Sequence, residues 1–214
     1  MMSAAGTQEQ AIPDQGPQER AVRWSGGRSP WDVGWPKLMM WLFLISDAMT
    51  FAGLLIGYWA ARLGNPAWPN RLEIFNLRFV AAMTVVLICS STTMALSVYA
   101  AREGARRATV WFLAATIAAG LTFAGMQSFE WSHFIGEGAR LSGNPWGVPA
   151  FSFTFLVITG LHGAHVLGGI VYLWIMADRI ARGLSTAEGL EVAGLYWGFV
   201  DLVWVFIWSS IYLL

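Results

Sequence analysis

The sequence predicts an all-α membrane protein, a bundle of five transmembrane helices. Three observations point there. Of 214 residues, 56% are hydrophobic and only 12% charged, against about 25% charged in an average soluble domain. The apolar residues are gathered into five long runs rather than spread along the chain. Thirteen Trp residues are a surplus, and Trp collects at bilayer interfaces.

The five runs cover residues 38–61, 79–101, 108–127, 148–177 and 190–214. Each is near the roughly 20 residues that span a hydrocarbon core. The segments of roughly 10 alternating residues that a β-barrel needs are absent. Lipid gives the backbone no hydrogen-bond partner, so the runs must be helices. Residues 1–34 are rich in Gly, Gln, Ser, Pro and charge and lack a secretory apolar run. They read as a flexible cytoplasmic tail ahead of a membrane domain at 35–214. Gly64-Asn65-Pro66 and Gly143-Asn144-Pro145 mark turns, and short basic loops join the second to third and fourth to fifth runs.

Thirteen basic residues balance thirteen acidic ones, so no excess charge exists to hold a nucleic acid. The single cysteine, Cys89, excludes an internal disulfide and a Cys-based zinc cluster. Arg20, Arg23, Arg28, Lys37, Arg102, Arg106, Arg107, Arg179 and Arg182 fall on one side of the five-helix topology. Arg62, Arg71, Arg78 and Arg140 fall on the other. The excess places the N-terminus in the cytoplasm and the C-terminus outside. Trp41, Trp59, Trp131 and Trp174 lie near the ends of runs, as interfacial anchors should.

Ionisable groups at membrane depth are costly and point to function. Asp47 lies about ten residues into the first run, roughly 15 Å deep. It is expected to be a protonated carboxyl that bonds a group on the fourth or fifth helix, serving either a proton relay or helix fastening. Asp201 lies at similar depth in the fifth, where Tyr196, Trp197 and Trp204 are its expected hydrogen-bond partners. Glu130 sits at the outer end of the third. His162 and His165 share a face of the fourth. Two ligands without a central His on another helix argue for interhelical hydrogen bonds rather than metal or haem. Gly53, Gly57, Gly160, Gly163, Gly194 and Gly198 are candidates for close helix packing. No nucleophile with a base, phosphate loop or redox cysteine pair is visible, so no catalytic residue and no metal site are assigned.

Met40-Trp41-Leu42-Phe43-Leu44-Ile45-Ser46-Asp47-Ala48-Met49-Thr50-Phe51-Ala52-Gly53-Leu54 resembles the "MWLFLxSExxFFAGL" segment of subunit III of haem-copper oxidases. Thr159-Gly160-Leu161-His162-Gly163-Ala164-His165-Val166 resembles its "TGxHGxHV". Tyr196-Trp197-Gly198-Phe199-Val200-Asp201-Leu202-Val203-Trp204 resembles "YWHFVDxVW", and Ser210-Ile211-Tyr212 the closing "SIY". Gln127-Ser128-Phe129-Glu130-Trp131 resembles "QxxEY". The motifs occur in the family's order over residues 35–214 and match its five-helix form.

The resemblance implies an accessory, non-redox subunit of a terminal oxidase in a bacterial cytoplasmic membrane. It would carry no haem or copper, pack on subunit I, which holds them, and support proton uptake during reduction of O2 to water. It also implies bound phospholipid and contact with other oxidase subunits. The tail is a candidate for attachment to a larger respiratory assembly. Asp47 matches the family's intramembrane glutamate, one methylene shorter. Gly198 stands where the family has histidine, which leaves His162 or His165 to replace it. The alternatives are a subunit III-like component of a quinol oxidase or nitric-oxide reductase, and a proton-coupled transporter built on Asp47 and Asp201. Continuous helices without repeats argue against the transporter.

Overall fold

The computed structural model describes residues 34–214. The expected tail therefore lies outside the described residues except for Gly34, as do Arg20, Arg23 and Arg28. Among the described residues there are five helices long and apolar enough to cross a membrane, and no named strand. They are α1 (Trp35–Leu63), α2 (Leu77–Arg102), α3 (Arg106–Gly136), α4 (Pro149–Ala181) and α5 (Ala187–Ile207). All five predicted runs are thus helical.

The boundaries follow from capping rather than from apolarity. The third run was expected to end at residue 127, yet α3 continues to Gly136. The hydrogen-bond ladder is indifferent to the polar side chains beyond Gln127. It stops where Gly138 turns the chain at φ 100° and Ala139 N–H reaches back to the Phe134 carbonyl. Gly104, at φ 71°, ends α2 in the same way, with Ala105 N–H on the Ala100 carbonyl. Asn76 starts α2 by accepting from Phe79 N–H at 3.3 Å. In the turns, Asn65 Nδ2 donates to the Ala61 carbonyl and Asn144 Nδ2 to the Val148 carbonyl, both at 2.6 Å. A single helical turn, Arg71–Ile74, precedes α2.

The fifth run was expected as one helix. Instead α5 passes at Ile207 into a π-helical turn, Trp208–Leu213. The wider turn re-aims the side chains and carbonyls that follow. Tyr212 is thereby buried, and Arg62 and Arg71 donate to main-chain oxygens of Leu213 and Leu214.

Helices α2, α3, α4 and α5 pack in a closed ring: α2 on α3, α3 on α4, α4 on α5 and α5 on α2. The ring is joined by side chains at membrane depth. Trp197 Nε1 donates to Ser90 Oγ and Trp204 Nε1 to Thr84 Oγ1, each at 3.0 Å. Thr93 and Thr116 share a 2.8 Å bond, and Gln127 Nε2 donates to the Thr159 carbonyl at 2.8 Å. Such links matter here because lipid tails are as apolar as Leu, so burial alone does not drive helices together.

Helix α1 is different. Its buried residues are Leu44, Phe51 and Tyr58, spaced seven apart. That spacing is a narrow seam on one side of the helix. Asp47, three residues after Leu44 and four before Phe51, falls on the same seam.

Candidate functional site

Seam geometry carries Asp47 to α4. Its Oδ1 lies 3.3 Å from His165 Nε2, with the two side chains 12% and 18% exposed. Phe51, one turn further along α1, meets the same imidazole edge-on at 5.4 Å. The other ring nitrogen, Nδ1, is 2.8 Å from the Leu161 carbonyl one turn back on α4. A carbonyl only accepts, so Nδ1 carries a proton. Nε2 then either accepts a proton from a neutral Asp47 or donates one to an ionised Asp47. In both arrangements the pair shares one proton and has no net charge. Asp47 Oδ2 is buried and has no hydrogen-bond partner among the described residues.

The two histidines part company. His165 faces α1, whereas His162 is fully buried in the ring. The imidazole of His162 stacks on Trp204 at 5.2 Å and meets Phe123 edge-on at 5.8 Å. Neither of its nitrogens has a hydrogen-bond partner among the described residues, contrary to the interhelical bond expected for it. Three residues turn a helix by about 300°, enough to put neighbours in different compartments.

Asp201 accepts from Ser91 Oγ of α2 at 2.5 Å. This corrects the expected set of partners. Trp197 and Trp204 are committed to Ser90 and Thr84, and Tyr196 donates to the His165 carbonyl at 3.0 Å. Glu130 is buried and its Oε2 accepts from Tyr212 Oη at 2.8 Å. The structure therefore separates the five polar residues into a pair across α1 and α4, a bond across α2 and α5, a contact with the π-turn and an aromatic stack. Among the described residues, no group of three His, Cys, Asp or Glu could hold a metal ion.

The glycines also divide. A Cβ on Gly160 would lie 3.0 Å from Trp131, and one on Gly163 would lie 3.5 Å from Gln127. One on Gly194 would lie 3.3 Å from Met94. A Cβ on Gly53, Gly57 or Gly198 would meet nothing within 4 Å among the described residues. Gly120, not singled out from the sequence, is the tightest: a Cβ there would sit 2.7 Å from Trp197. Trp41 and Trp174 are exposed, and Arg62 lies over the Trp59 ring at 5.0 Å. Trp131 is half-buried and donates to Thr159 Oγ1 at 3.1 Å. Ser90, Ser91 and Thr84 were missed, and Tyr212 was read only as part of a motif and not as the partner of Glu130. Their signal was Ser, Thr and Tyr inside apolar runs, which does not say which of them meets a partner.

The cytochrome c oxidase subunit III family profile matches residues 33–214. The chain is 32% identical over 183 residues to the probable quinol oxidase subunit 3 of Staphylococcus saprophyticus, covering 83% of this chain and 88% of that protein. It is 30% identical over 177 residues to the cytochrome bo(3) ubiquinol oxidase subunit 3 of Pseudomonas aeruginosa, covering 81% and 82%. It is 31% identical over 180 residues to the cytochrome c oxidase subunit 3 of Alkalihalophilus pseudofirmus, covering 83% and 85%. With five membrane helices and these relatives, the chain belongs to the cytochrome c oxidase subunit III family and is an accessory integral membrane subunit of a bacterial haem-copper oxidase.

Proposed function

We propose that this subunit packs on subunit I, stabilises it, and supports proton uptake during O2 reduction through Asp47 and His165. The observation that carries this reading is the 3.3 Å contact between the two side chains, which leaves one proton shared between a carboxyl and an imidazole midway along α1. Such a pair can hold or pass on a proton without leaving an unpaired charge at membrane depth, where an isolated charge is costly. His165 takes over from α4 the place that a fifth-helix histidine would hold, since position 198 is glycine. The haem and copper belong to partner subunits, and other oxidase subunits and phospholipid cover the outward face of α1. The basic-residue bias supports a cytoplasmic N-terminus, with residues 1–34 as a separate segment available to a larger respiratory assembly. Relatives named for quinol and for cytochrome c match at similar identity, and this reading serves either donor.

The test uses the assembled oxidase. Asp47→Asn keeps a hydrogen bond to Nε2 but removes the transferable proton, whereas Asp47→Glu restores a carboxyl. The Asn variant should take up protons several-fold more slowly and lose activity sooner during turnover; the Glu variant should recover both. Wild-type proton uptake and lifetime in Asp47→Asn would overturn the reading.

A further inference from the structure

A second acidic site, at Glu130 near the end of α3, shares no residue with the Asp47 pair of α1 and α4 and does not depend on it. Glu130 lines a groove of about 280 Å³ between the start of α2 and the end of α3. Its walls are aromatic. Phe75 and Phe134 stack at 5.7 Å, and Phe79 and Phe129 meet at 5.8 Å. Glu130 is six residues before the end of α3, roughly 9 Å at a helical rise. That depth is the head-group level rather than the centre of a bilayer.

The carboxyl is only half satisfied. Tyr212 donates to Oε2, while Oε1 has no hydrogen bond or ion pair among the described residues. The nearby imidazole of His133 is 3.2 Å from Glu137 instead. A buried carboxyl walled by rings, with no ion pair to a cation among the described residues and with His133, the one basic side chain lining the groove, turned to Glu137, is complementary to an ammonium group. The aromatic faces attract it, and the free oxygen accepts a charge-assisted hydrogen bond. An anionic head group would meet the carboxylate unfavourably. We propose that this groove seats the ammonium head group of a phospholipid, with Glu130 as its counter-charge and Phe79 and Phe129 as its aromatic wall.

The experiment is lipid retention by the whole oxidase in nanodiscs of equal phosphatidylethanolamine and phosphatidylglycerol, read by native mass spectrometry. The wild type should keep one phosphatidylethanolamine with at least about tenfold preference, equivalent to about 1.4 kcal/mol. Glu130→Gln preserves the bond with Tyr212 and should abolish that preference; Tyr212→Phe should keep it. If the Gln variant does not assemble, Phe129→Leu at an exposed position is read in its place and should weaken retention several-fold. Equal retention of both head groups, or an unchanged preference in Glu130→Gln or Phe129→Leu, would overturn the proposal. So would a zero-length cross-link from Glu130 to a lysine of another subunit, which would make a protein cation the occupant.

Discussion

Helix α1 and the ring of α2–α5 are equally apolar but held in different ways. In α1 11% of the most apolar stretch is buried, against 50% in the last membrane helix. Hydropathy does not distinguish them, because apolar surface gains little by leaving lipid. The ring has what lipid cannot supply. Glycine lets Trp197 lie against the backbone of α3, and indole N–H groups find hydroxyls on α2. Helix α1 has one seam of buried side chains and the Asp47–His165 pair. A Cβ on its own glycines, Gly53 and Gly57, would meet nothing within 4 Å among the described residues. The lesson is that membrane helices associate where close packing and polar links coincide, and α1 has few of either inside this subunit.

Substitutions in the two regions should therefore differ in a set order. The largest effect is expected for Gly120→Ala in the ring. The new methyl would press on Trp197, whose ring is buried and held by Ser90. Overpacking of this kind costs about 1–3 kcal/mol, visible as a lower unfolding midpoint in detergent. A smaller effect is expected at the seam. A double-mutant cycle of Asp47→Ala and His165→Ala should give a coupling of about 0.6–1.7 kcal/mol, the range for polar pairs between membrane helices. No coupling would mean that α1 is held by Leu44, Phe51 and Tyr58 alone. The smallest is expected for Gly53→Ala, within about 0.5 kcal/mol in the isolated chain. Loss of oxidase assembly from that substitution, with the isolated chain unaffected, would assign the open face of α1 to another subunit.

Much of the fold was legible because the bilayer imposes a simple rule. Backbone groups must bond internally, so long apolar runs become helices whatever they pack against. Ends were less legible: α3 passes nine residues beyond its predicted stop because Gly138, rather than polarity, terminates it. The acidic residues stood out as exceptions in apolar runs, whereas the inward seam of Leu44, Phe51 and Tyr58 that carries Asp47 emerged only from burial in the structure. Their partners did not stand out. His162 and His165 look alike in sequence, yet one stacks on Trp204 and the other meets Asp47.

The sequence by itself determined five helices and their order, since these depend on local composition and length, and its motifs marked the family. Only the tertiary structure decided that Asp47 meets His165, that Ser91 rather than an indole serves Asp201, and that a π-turn brings Tyr212 to Glu130. These contacts join residues 82 to 118 positions apart. They depend on how each helix is rotated about its axis, and packing sets that rotation while composition does not.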